Sequence, residues 1–367
     1  MNIPFVDLKA QYHQIKDEID RAINEVIENT AFIKGKYVNE FENQYSKVYG
    51  VNHTISCANG TDAIYIALKS LGIGSGDEVI TTACSWISTS ETITQAGAKV
   101  VFCDIEPNFY TIDTSKIEDK ITEKTKAIIP VHLYGHPVNM TELMDIAKKH
   151  NLFVIEDCAQ AHFAKWDGEN VGTFGDFATF SFFPGKNLGA YGDAGAIITN
   201  DSELADKARM YANHGSLVKH EHQIEGINSR LDGIQAAILS VKLKYIKSWT
   251  SLRLKHALDY NILLEGCDDL QIPKIHSKAD PVFHLYVCRV KDRKNLTTSL
   301  TNNGISTAKH YPIPLPYLEA YSYLGHKSED FPVSYSYQDS ILSLPIYPEI
   351  TDEMKKFVSE KIIEFYK

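Results

Sequence analysis

The sequence predicts an α/β fold with a mostly parallel central sheet, helices on both faces of that sheet, and a smaller C-terminal α+β domain. Short runs that are apolar throughout recur along the first 200 residues, and segments of helical length separate them. The alternation ends near residue 245, where a long polar helical stretch leads into a different pattern. We therefore expect an N-terminal helix and a large domain at 1–245, and a small domain at 246–367.

The apolar runs predict the strands of the sheet: His53–Cys57, Glu78–Thr81, Lys99–Cys103, Ala127–His132, Leu152–Glu156, Ala178–Phe182 and Ala196–Thr199. The segments between and after them predict helices: Asp62–Leu71, Ser88–Ala96, Ser115–Ile121, Thr141–His150 and Ser202–Asn213. Before the first strand, apolar residues recur at helical spacing and predict an amphipathic N-terminal helix: Ile15, Ile19, Ile23, Val26 and Ile27.

Composition and charge narrow the class of protein. Apolar residues at 44% and charged residues at 23% are typical of a globular protein. The net charge of −10, without a run of basic residues, argues against nucleic acid as a partner. No apolar segment reaches membrane-spanning length, and the first residues lack the layout of a signal peptide, so we expect a soluble cytoplasmic protein with no membrane contact.

The cysteines and histidines do not predict a metal site. The six cysteines show no Cys-x-x-Cys pairing and lie mostly within apolar runs, which is typical of reduced core residues. His220 and His222, with His214 nearby, have no cysteine or carboxylate beside them at the spacing of metal ligands. Solvated loop histidines are the favoured interpretation.

Two residues carry the strongest chemical signal. Lys186 lies in an apolar, glycine-flanked loop within Ser181–Gly189, and Asp157 ends an apolar run. A lysine in dry surroundings loses its proton more easily and can form an imine, while a buried carboxylate can keep a pyridine nitrogen protonated. Pyridoxal 5'-phosphate chemistry requires these two groups. Alone, a lysine is more often a surface charge and an aspartate more often a cap.

Other candidates follow neighbouring strands. The Asn59–Thr61 segment opens a helix and offers a glycine, a hydroxyl and free N–H groups to an anion, although such a turn is more often only a helix cap. Trp86 follows the next strand, and a single tryptophan there is more often a core residue than a ligand contact. Because ligands collect at the carboxyl ends of the strands of open α/β sheets, we expect the candidates at one edge: Gly60, Thr61, Trp86, Asp157 and Ser181.

These residues lie in motifs by which the chain resembles the DegT-type nucleotide-sugar aminotransferases, pyridoxal-phosphate enzymes of the aspartate aminotransferase fold (fold type I). The resemblance covers essentially the whole chain. The matching segments are Cys57–Ala63, Glu156–Ala161, Ser181–Gly195, Asn228–Asp232 and His310–Pro314.

The resemblance implies a role for each matching residue at the cofactor. Lys186 would form the imine with the cofactor and later shuttle a proton between cofactor and sugar. Asp157 would pair with the pyridine nitrogen, Gln160 would contact the ring hydroxyl, and Trp86 would stack on the ring. The cofactor phosphate would be held by the remaining motif residues: Gly60, Thr61 and Ser181.

The resemblance also implies a homodimer whose active sites lie between subunits. Asn228 would reach across to the phosphate in the partner subunit. Three residues would contact the substrate: Arg230, His310 and Tyr311. Family members often continue the last motif with a polar His-x-Gln, whereas this chain has the largely apolar Leu315–Leu318, so sugar contacts from that loop are not carried over.

The function that the resemblance implies is transfer of an amino group from glutamate to a keto carbon of a nucleotide-linked hexose, in amino-sugar or surface-glycan biosynthesis. The His310–Pro314 segment is more similar to the branch that aminates C3 than to the C4 branch. A sugar dehydratase of the same fold would carry histidine in place of Lys186. A non-catalytic, cofactor-binding regulatory protein would need a damaged catalytic set or a DNA-binding appendage, and the sequence has neither. The nucleotide, dTDP or UDP, stays open.

Overall fold

The computed structural model describes the whole chain, Met1–Lys367. Its α-helices are α1 (Leu8–Gln14), α2 (Lys16–Glu28), α3 (Lys36–Tyr49), α4 (Gly60–Ser70), α5 (Ser88–Gln95), α6 (Met140–His150), α7 (Ser202–Tyr211), α8 (Gly233–Leu243), α9 (Ile246–Leu263), α10 (Arg293–Asn302), α11 (Pro332–Tyr337) and α12 (Asp352–Tyr366). Its strands are β1 (His53–Cys57), β2 (Glu78–Thr82), β3 (Lys99–Cys103), β4 (Thr125–Ile129), β5 (Phe153–Asp157), β6 (Lys165–Trp166), β7 (Glu169–Asn170), β8 (Phe177–Ser181), β9 (Gly195–Thr199), β10 (Leu270–Gln271), β11 (Ala279–Asp280), β12 (Tyr286–Val290) and β13 (Ile341–Leu344).

Seven strands form the central sheet, in the order β1-β9-β8-β5-β4-β2-β3. The strands from β8 to β3 in that order run parallel, whereas β9 is antiparallel to both of its neighbours. β1 therefore points the same way as β8. The carboxyl ends of β1, β2, β5 and β8 lie at one edge of the sheet, which is where the candidate residues were expected.

Both faces of the sheet are covered, as predicted. Successive residues of a strand belong to different cores: Val79 packs in the core that α4, α5 and α7 cover, and Ile80 in the core that α2, α3, α6 and α8 cover. This two-sided burial explains why the strands read as apolar throughout. The predicted strand limits agree closely, and the largest difference lies at β4, which ends at Ile129 because Pro130 follows and has no N–H to continue the ladder.

Two helix predictions were wrong in detail. The segment Ser115–Ile121 is not an α-helix but two single turns of 3-10 helix, in which Lys116, Ile117 and Lys120 each bond to the carbonyl three residues earlier. Ile117 is the one apolar side chain there that reaches full burial, so nothing sustains a longer helix.

The N-terminal helix is divided. α1 ends at Gln14 and α2 begins at Lys16, with Ile15 outside both at φ −122°. Ile15, Ile19 and Val26 all pack in the main core. Their helical spacing therefore reflects a common buried face and not one continuous helix. Ile27, which the apolar pattern also included, is 48% exposed.

A second, antiparallel sheet, β10-β12-β13, lies in the C-terminal part of the chain and has its own core with α9, α10 and α12. Ile3 joins this core by pairing with Ile305, so the first residues of the chain pack against its last third. The division at residue 245 remains a prediction. All six cysteines are free, as expected, and only Cys267 is not fully buried. No helix is both long and apolar enough to cross a bilayer.

Candidate active site

A cavity of about 400 Å³ opens at the carboxyl edge of the central sheet. Every residue singled out from the sequence except Asn228 and Arg230 lines it: Gly60, Thr61, Trp86, Asp157, Gln160, Ser181, Lys186, His310 and Tyr311. They reach it from the ends of β1, β2, β5 and β8 and from the segment before β13. The sheet order thus brings together residues that are far apart in the sequence.

Asp157 is the last residue of β5 and is 5% exposed. Its Oδ2 accepts a hydrogen bond from the Thr89 hydroxyl at 2.8 Å, and its Oδ1 accepts one from the Ala159 N–H at 3.1 Å. Burial raises the pKa of Asp157, and these two donors with the nearby Lys186 oppose that rise. The carboxylate is therefore buried but supported, as a partner of a cationic ring nitrogen has to be.

Lys186 lies in the loop after β8, half-buried at the cavity wall. Burial lowers the pKa of its amine to about 8, while the charge of Asp157 acts in the opposite direction. At pH 7 about one molecule in ten would then carry a neutral amine, compared with fewer than about one in a thousand at an ordinary lysine. A neutral amine is the form that attacks a carbonyl carbon.

The N-terminus of α4 and Ser181 form a cradle that a side chain would fill. A Cβ on Gly60 would lie 2.6 Å from the Cβ of Ser181, so only glycine permits this approach. Asn59 caps the helix by accepting from the Asp62 N–H at 2.8 Å, and the Thr61 and Ser88 hydroxyls lie 2.6 Å apart. The segment can therefore be both a helix cap and an anion site, because the Asn59 cap leaves the first N–H groups of α4 free to bind a phosphate.

Another part of the cavity lining is aromatic and hydrogen-bonded. Gln160 accepts from the Tyr134 N–H at 2.6 Å and donates from Nε2 to the Tyr311 hydroxyl at 3.0 Å. The Trp86 ring is 59% exposed and lies 5.8 Å from the Tyr311 ring, centroid to centroid. Trp86 is thus not a core residue, and its face is free to cover an aromatic ligand.

His310 is held neutral beside Lys186. Its Nδ1 lies 2.8 Å from the Ser343 hydroxyl, and burial together with the charge of Lys186 lowers its pKa to about 4. Tyr134 also donates to the backbone carbonyl of His310. The imidazole is therefore available as a neutral hydrogen-bonding group at neutral pH.

Asn228 and Arg230 lie outside this cavity. Asn228 is exposed, and it precedes Asp232, the residue at the start of α8, so it does not begin that helix. Arg230 lines a separate cavity of about 160 Å³ together with Lys34 and Arg209. Within one chain, neither residue contributes to the site around Lys186.

Sequence analysis assigned no role to several supporting residues. Glu156, fully buried next to Asp157, accepts from three backbone N–H groups and from His132 Nε2 at 3.0 Å. The Val138 N–H donates to His132 Nδ1 at 3.0 Å, so the Nε2 proton points to Glu156. Glu156, His132 and Cys158 are close enough to suggest a metal site, but these hydrogen bonds already occupy both imidazole nitrogens and both carboxylate oxygens.

Taken together, the cradle, the buried carboxylate and the activated amine fit pyridoxal phosphate. Gly60, Thr61 and Ser181 could hold its phosphate, Asp157 its ring nitrogen and Lys186 its aldehyde carbon. Each of these groups lies on the same cavity of about 400 Å³, a volume in the usual range of small-molecule sites.

Comparisons with known proteins find matches along essentially the whole chain. The profile of the DegT/DnrJ/EryC1/StrS aminotransferase family matches residues 13–363. A "Pleiotropic regulatory protein" from Geobacillus stearothermophilus is 48% identical over 100% of this chain and 99% of its own length. A "UDP-N-acetyl-3-dehydro-alpha-D-glucosamine 3-aminotransferase" from Acidithiobacillus ferrooxidans is 42% identical over 96% of this chain and 94% of its own length.

A solved structure shows the same fold in detail. The crystal structure of Streptomyces venezuelae DesV in complex with a ketimine intermediate superimposes with a TM-score of 0.97 at 37% identity. The match covers 100% of this chain and 99% of that one.

Proposed function

The chain belongs to the DegT/DnrJ/EryC1/StrS aminotransferase family, and we propose that it transfers an amino group from glutamate to C3 of a nucleotide-linked ketohexose. It is a pyridoxal-phosphate-dependent aminotransferase. One observation carries the proposal: the Lys186 amine, with its lowered pKa, and the buried carboxylate of Asp157 lie on one cavity beside a phosphate cradle.

The cofactor supplies an aldehyde that binds amines and a ring that accepts electrons. Lys186 would hold the cofactor, and its Nζ would then accept and return the proton that moves between carbon atoms. Its lowered pKa suits both directions of transfer near neutral pH. Asp157 would keep a proton on the ring nitrogen, and Thr89 keeps the Asp157 carboxylate oriented for that role.

The other cavity residues would orient the cofactor and exclude water. Gly60, Thr61 and Ser181 would bind the phosphate at the N-terminus of α4. Trp86 would cover one face of the ring, and Gln160, already fixed by the Tyr134 N–H, would direct its amide to the ring hydroxyl.

Two observations support the choice of a nucleotide sugar aminated at C3. The name of the relative from Acidithiobacillus ferrooxidans specifies a 3-dehydro sugar nucleotide and a 3-aminotransferase. The His310–Pro314 segment, which resembles the C3 branch, lies at the cavity, where the neutral His310 and Tyr311 could bind sugar hydroxyls. Leu315, where the chain departs from the family pattern, is 1% exposed and packs in the core, so it is not a sugar contact in its own subunit.

A regulatory role is the second candidate, because the relative with 48% identity is named a pleiotropic regulatory protein. Against a non-catalytic role stands the buried carboxylate of Asp157 beside the Lys186 amine of lowered pKa, because protonation of the ring nitrogen and proton transfer by a free amine serve catalysis rather than binding. We also propose that the protein acts as a homodimer with shared sites, because Asn228 and Arg230 are outside the cavity of their own chain.

The decisive experiment supplies the cofactor-loaded protein with ¹⁵N-labelled glutamate and a panel of dTDP- and UDP-linked 3-keto and 4-keto hexoses. Mass spectrometry of the sugar nucleotides should detect the ¹⁵N label in a 3-keto substrate. Label only in 4-keto sugars would refute the C3 assignment. A protein that binds the cofactor but labels no sugar would favour the regulatory role. Lys186→Ala, which should lose both the visible absorbance of bound cofactor and activity, is the control.

A further inference from the structure

Lys242 on α8 is a fully buried lysine, 0% exposed, that the roles above leave unexplained. Its Nζ donates to the carbonyl oxygen of Gly189 at 2.7 Å, and the Tyr191 ring centroid lies 4.2 Å from Nζ. Burial lowers the pKa of Lys242 to about 8, and Glu349 is the acid that opposes this. An ammonium with one carbonyl partner is costly to bury, so packing alone does not account for it.

The Gly189 carbonyl belongs to the loop that carries Lys186. This loop closes on itself: the Lys186 N–H bonds to the Phe183 carbonyl at 2.8 Å, and the Ala190 N–H to the Phe182 carbonyl at 2.8 Å. At Gly189 the turn is so tight that a Cβ would lie 2.3 Å from the Pro184 carbonyl oxygen. Because the loop is a closed unit, the position of the Gly189 carbonyl helps set the position of Lys186.

α8 holds the segment after the loop at a second point. The Tyr191 N–H donates to Oε1 of Gln235 at 2.8 Å. Gln235 and Lys242 are seven residues apart, about two helical turns, and therefore lie on the same face of α8. That helix is itself anchored in the main core, where Leu239 and Leu188 both pack. α8 thus holds the loop and the segment after it through two side chains of a well-packed helix.

We propose that Lys242 is a positioning residue that fixes the Lys186 loop through the Gly189 carbonyl. The inference rests on the proposed role of Lys186. Lys242 lies behind the loop and does not line the cavity, so it touches neither substrate nor cofactor. Its contribution should therefore be seen in how fast Lys186 reacts rather than in how tightly substrates bind.

The test compares Lys242→Met, which keeps the length and loses the donor, with Lys244→Met as the matched control. Lys244 is two residues later, its side chain is 62% exposed, and it pairs with Glu18 at the surface. For each cofactor-free protein, the melting temperature and the rate at which added pyridoxal phosphate attaches to Lys186 are measured. Borohydride reduction followed by peptide mass spectrometry identifies the lysine that reacted, and kcat and KM are then measured on the loaded proteins.

We expect Lys242→Met to keep or exceed the wild-type melting temperature, because it removes a buried charge. Attachment and kcat should fall about tenfold or more while KM stays within about twofold, since a displaced Lys186 reacts more slowly. Lys242→Arg, which keeps a donor, should restore part of both rates, and Lys244→Met should change neither.

Wild-type attachment and turnover in Lys242→Met would overturn the inference, as would a fall in melting temperature with unchanged attachment. If Lys242→Met does not fold, Lys242→Arg and Lys242→Gln replace it in the test, because both keep an N–H that can donate to the Gly189 carbonyl. Attachment near the wild-type rate in either variant supports the inference. Slow attachment in both variants overturns it. Attachment of the cofactor to another lysine in the wild-type protein would instead sink the proposed function.

Discussion

The hydroxyl of Thr89 donates a hydrogen bond to Oδ2 of Asp157 at 2.8 Å, and both side chains are buried. Thr89 lies in the first turn of α5, and Asp157 ends β5, so the bond joins two elements across the carboxyl edge of the sheet. Burial alone would protonate this carboxyl more readily, and the hydroxyl opposes that effect. Thr89 thereby favours the ionised form of Asp157, the state its proposed role requires.

Thr89→Val keeps the shape and removes the donor. The cofactor-free protein should lose about 1.5–3 kcal/mol of unfolding free energy at pH 7, the usual loss for a hydrogen bond to a charged group. Burial raises the pKa of Asp157 in the folded protein above its value in the unfolded chain. The contribution of this carboxyl to the free energy of unfolding is therefore fully present below the unfolded pKa. It is lost as pH rises through the folded pKa. The substitution raises the folded pKa further.

The deficit of Thr89→Val should therefore shrink as pH falls through the raised folded pKa values of Asp157 in the two proteins, because below them the carboxyl is protonated in both folded states and the unfolded pKa is common to both. Urea unfolding at a series of pH values measures it, and Thr89→Ser, which keeps the hydroxyl, is the control. A deficit that does not change with pH would mean that Thr89 contributes packing rather than support for the charge.

Thr89 also shows where sequence reasoning stops. The placement of Lys186, Asp157 and the Gly60 turn on one cavity could be predicted, because each follows an apolar strand and the carboxyl ends of the strands converge. Thr89 could not, since its partner is 68 residues away and the Ser88–Ser90 segment has no feature that distinguishes a core hydroxyl from a carboxylate donor.

The same limit applies to Lys242 and to the N-terminal helices. Lys242 lies in a largely apolar helix, and only the path of the Gly189 backbone shows what its ammonium binds. The break at Ile15 leaves the apolar spacing of α1 and α2 intact, so periodicity alone does not reveal it. Local patterns predicted the strands and their shared edge, whereas partners distant in the sequence and the break at Ile15 left no local signal.

The rate at which pyridoxal phosphate attaches to the cofactor-free protein should rise with pH and level off, with a midpoint near the Lys186 pKa of about 8. The rate should rise rather than fall with pH because the neutral amine is the nucleophile, and the neutral fraction of Lys186 increases above its pKa. Asp157→Asn should move the midpoint to lower pH, because the carboxylate is the group that raises the Lys186 pKa. Stopped-flow absorbance measures both curves. A midpoint near 10.5 would show that the amine is not desolvated.

Asp157→Asn should also leave the fold intact while lowering turnover by about a hundredfold or more, the scale of a lost electrostatic contact in a preorganised site. A neutral amide cannot balance a protonated ring nitrogen. The alternative is that Asp157 only supports the local turn through its bond to the Ala159 N–H, in which case substitution would cost about 1 kcal/mol of stability. Steady-state kinetics with thermal unfolding separate the two, since the alternative predicts near-normal turnover with a lower melting temperature.

Gly60→Ala should weaken cofactor binding. The new Cβ would lie 2.6 Å from the Cβ of Ser181, so α4 or β8 has to shift and the cradle widens. We expect the Kd for pyridoxal 5'-phosphate to rise about tenfold or more, equivalent to about 1.4 kcal/mol. Gly74→Ala is the matched control, because its Cβ would meet only the Ala96 carbonyl at an ordinary 3.6 Å. Fluorescence titration of both variants gives the Kd, and equal values for the two would rule out a role for the close approach.

Asn228 should act in the active site of the partner subunit, since it is exposed and outside the cavity of its own chain. Asn228→Asp places a carboxylate opposite the cofactor phosphate and should abolish cofactor binding in the site it serves. Lys186→Ala disables its own site. If Asn228 serves the neighbouring site, a mixed dimer of the two variants carries both lesions in one site and leaves the other intact.

Mixing the two inactive variants should then restore activity, up to about half of one wild-type dimer per mixed dimer when the sites are independent. Native mass spectrometry establishes that subunits exchanged, and mixing Asn228→Asp with itself is the control. If Asn228 acted within its own chain, each mixed dimer would contain two damaged sites. A shared site would leave one site of each mixed dimer intact. Confirmed exchange without recovered activity would therefore exclude a site shared between subunits.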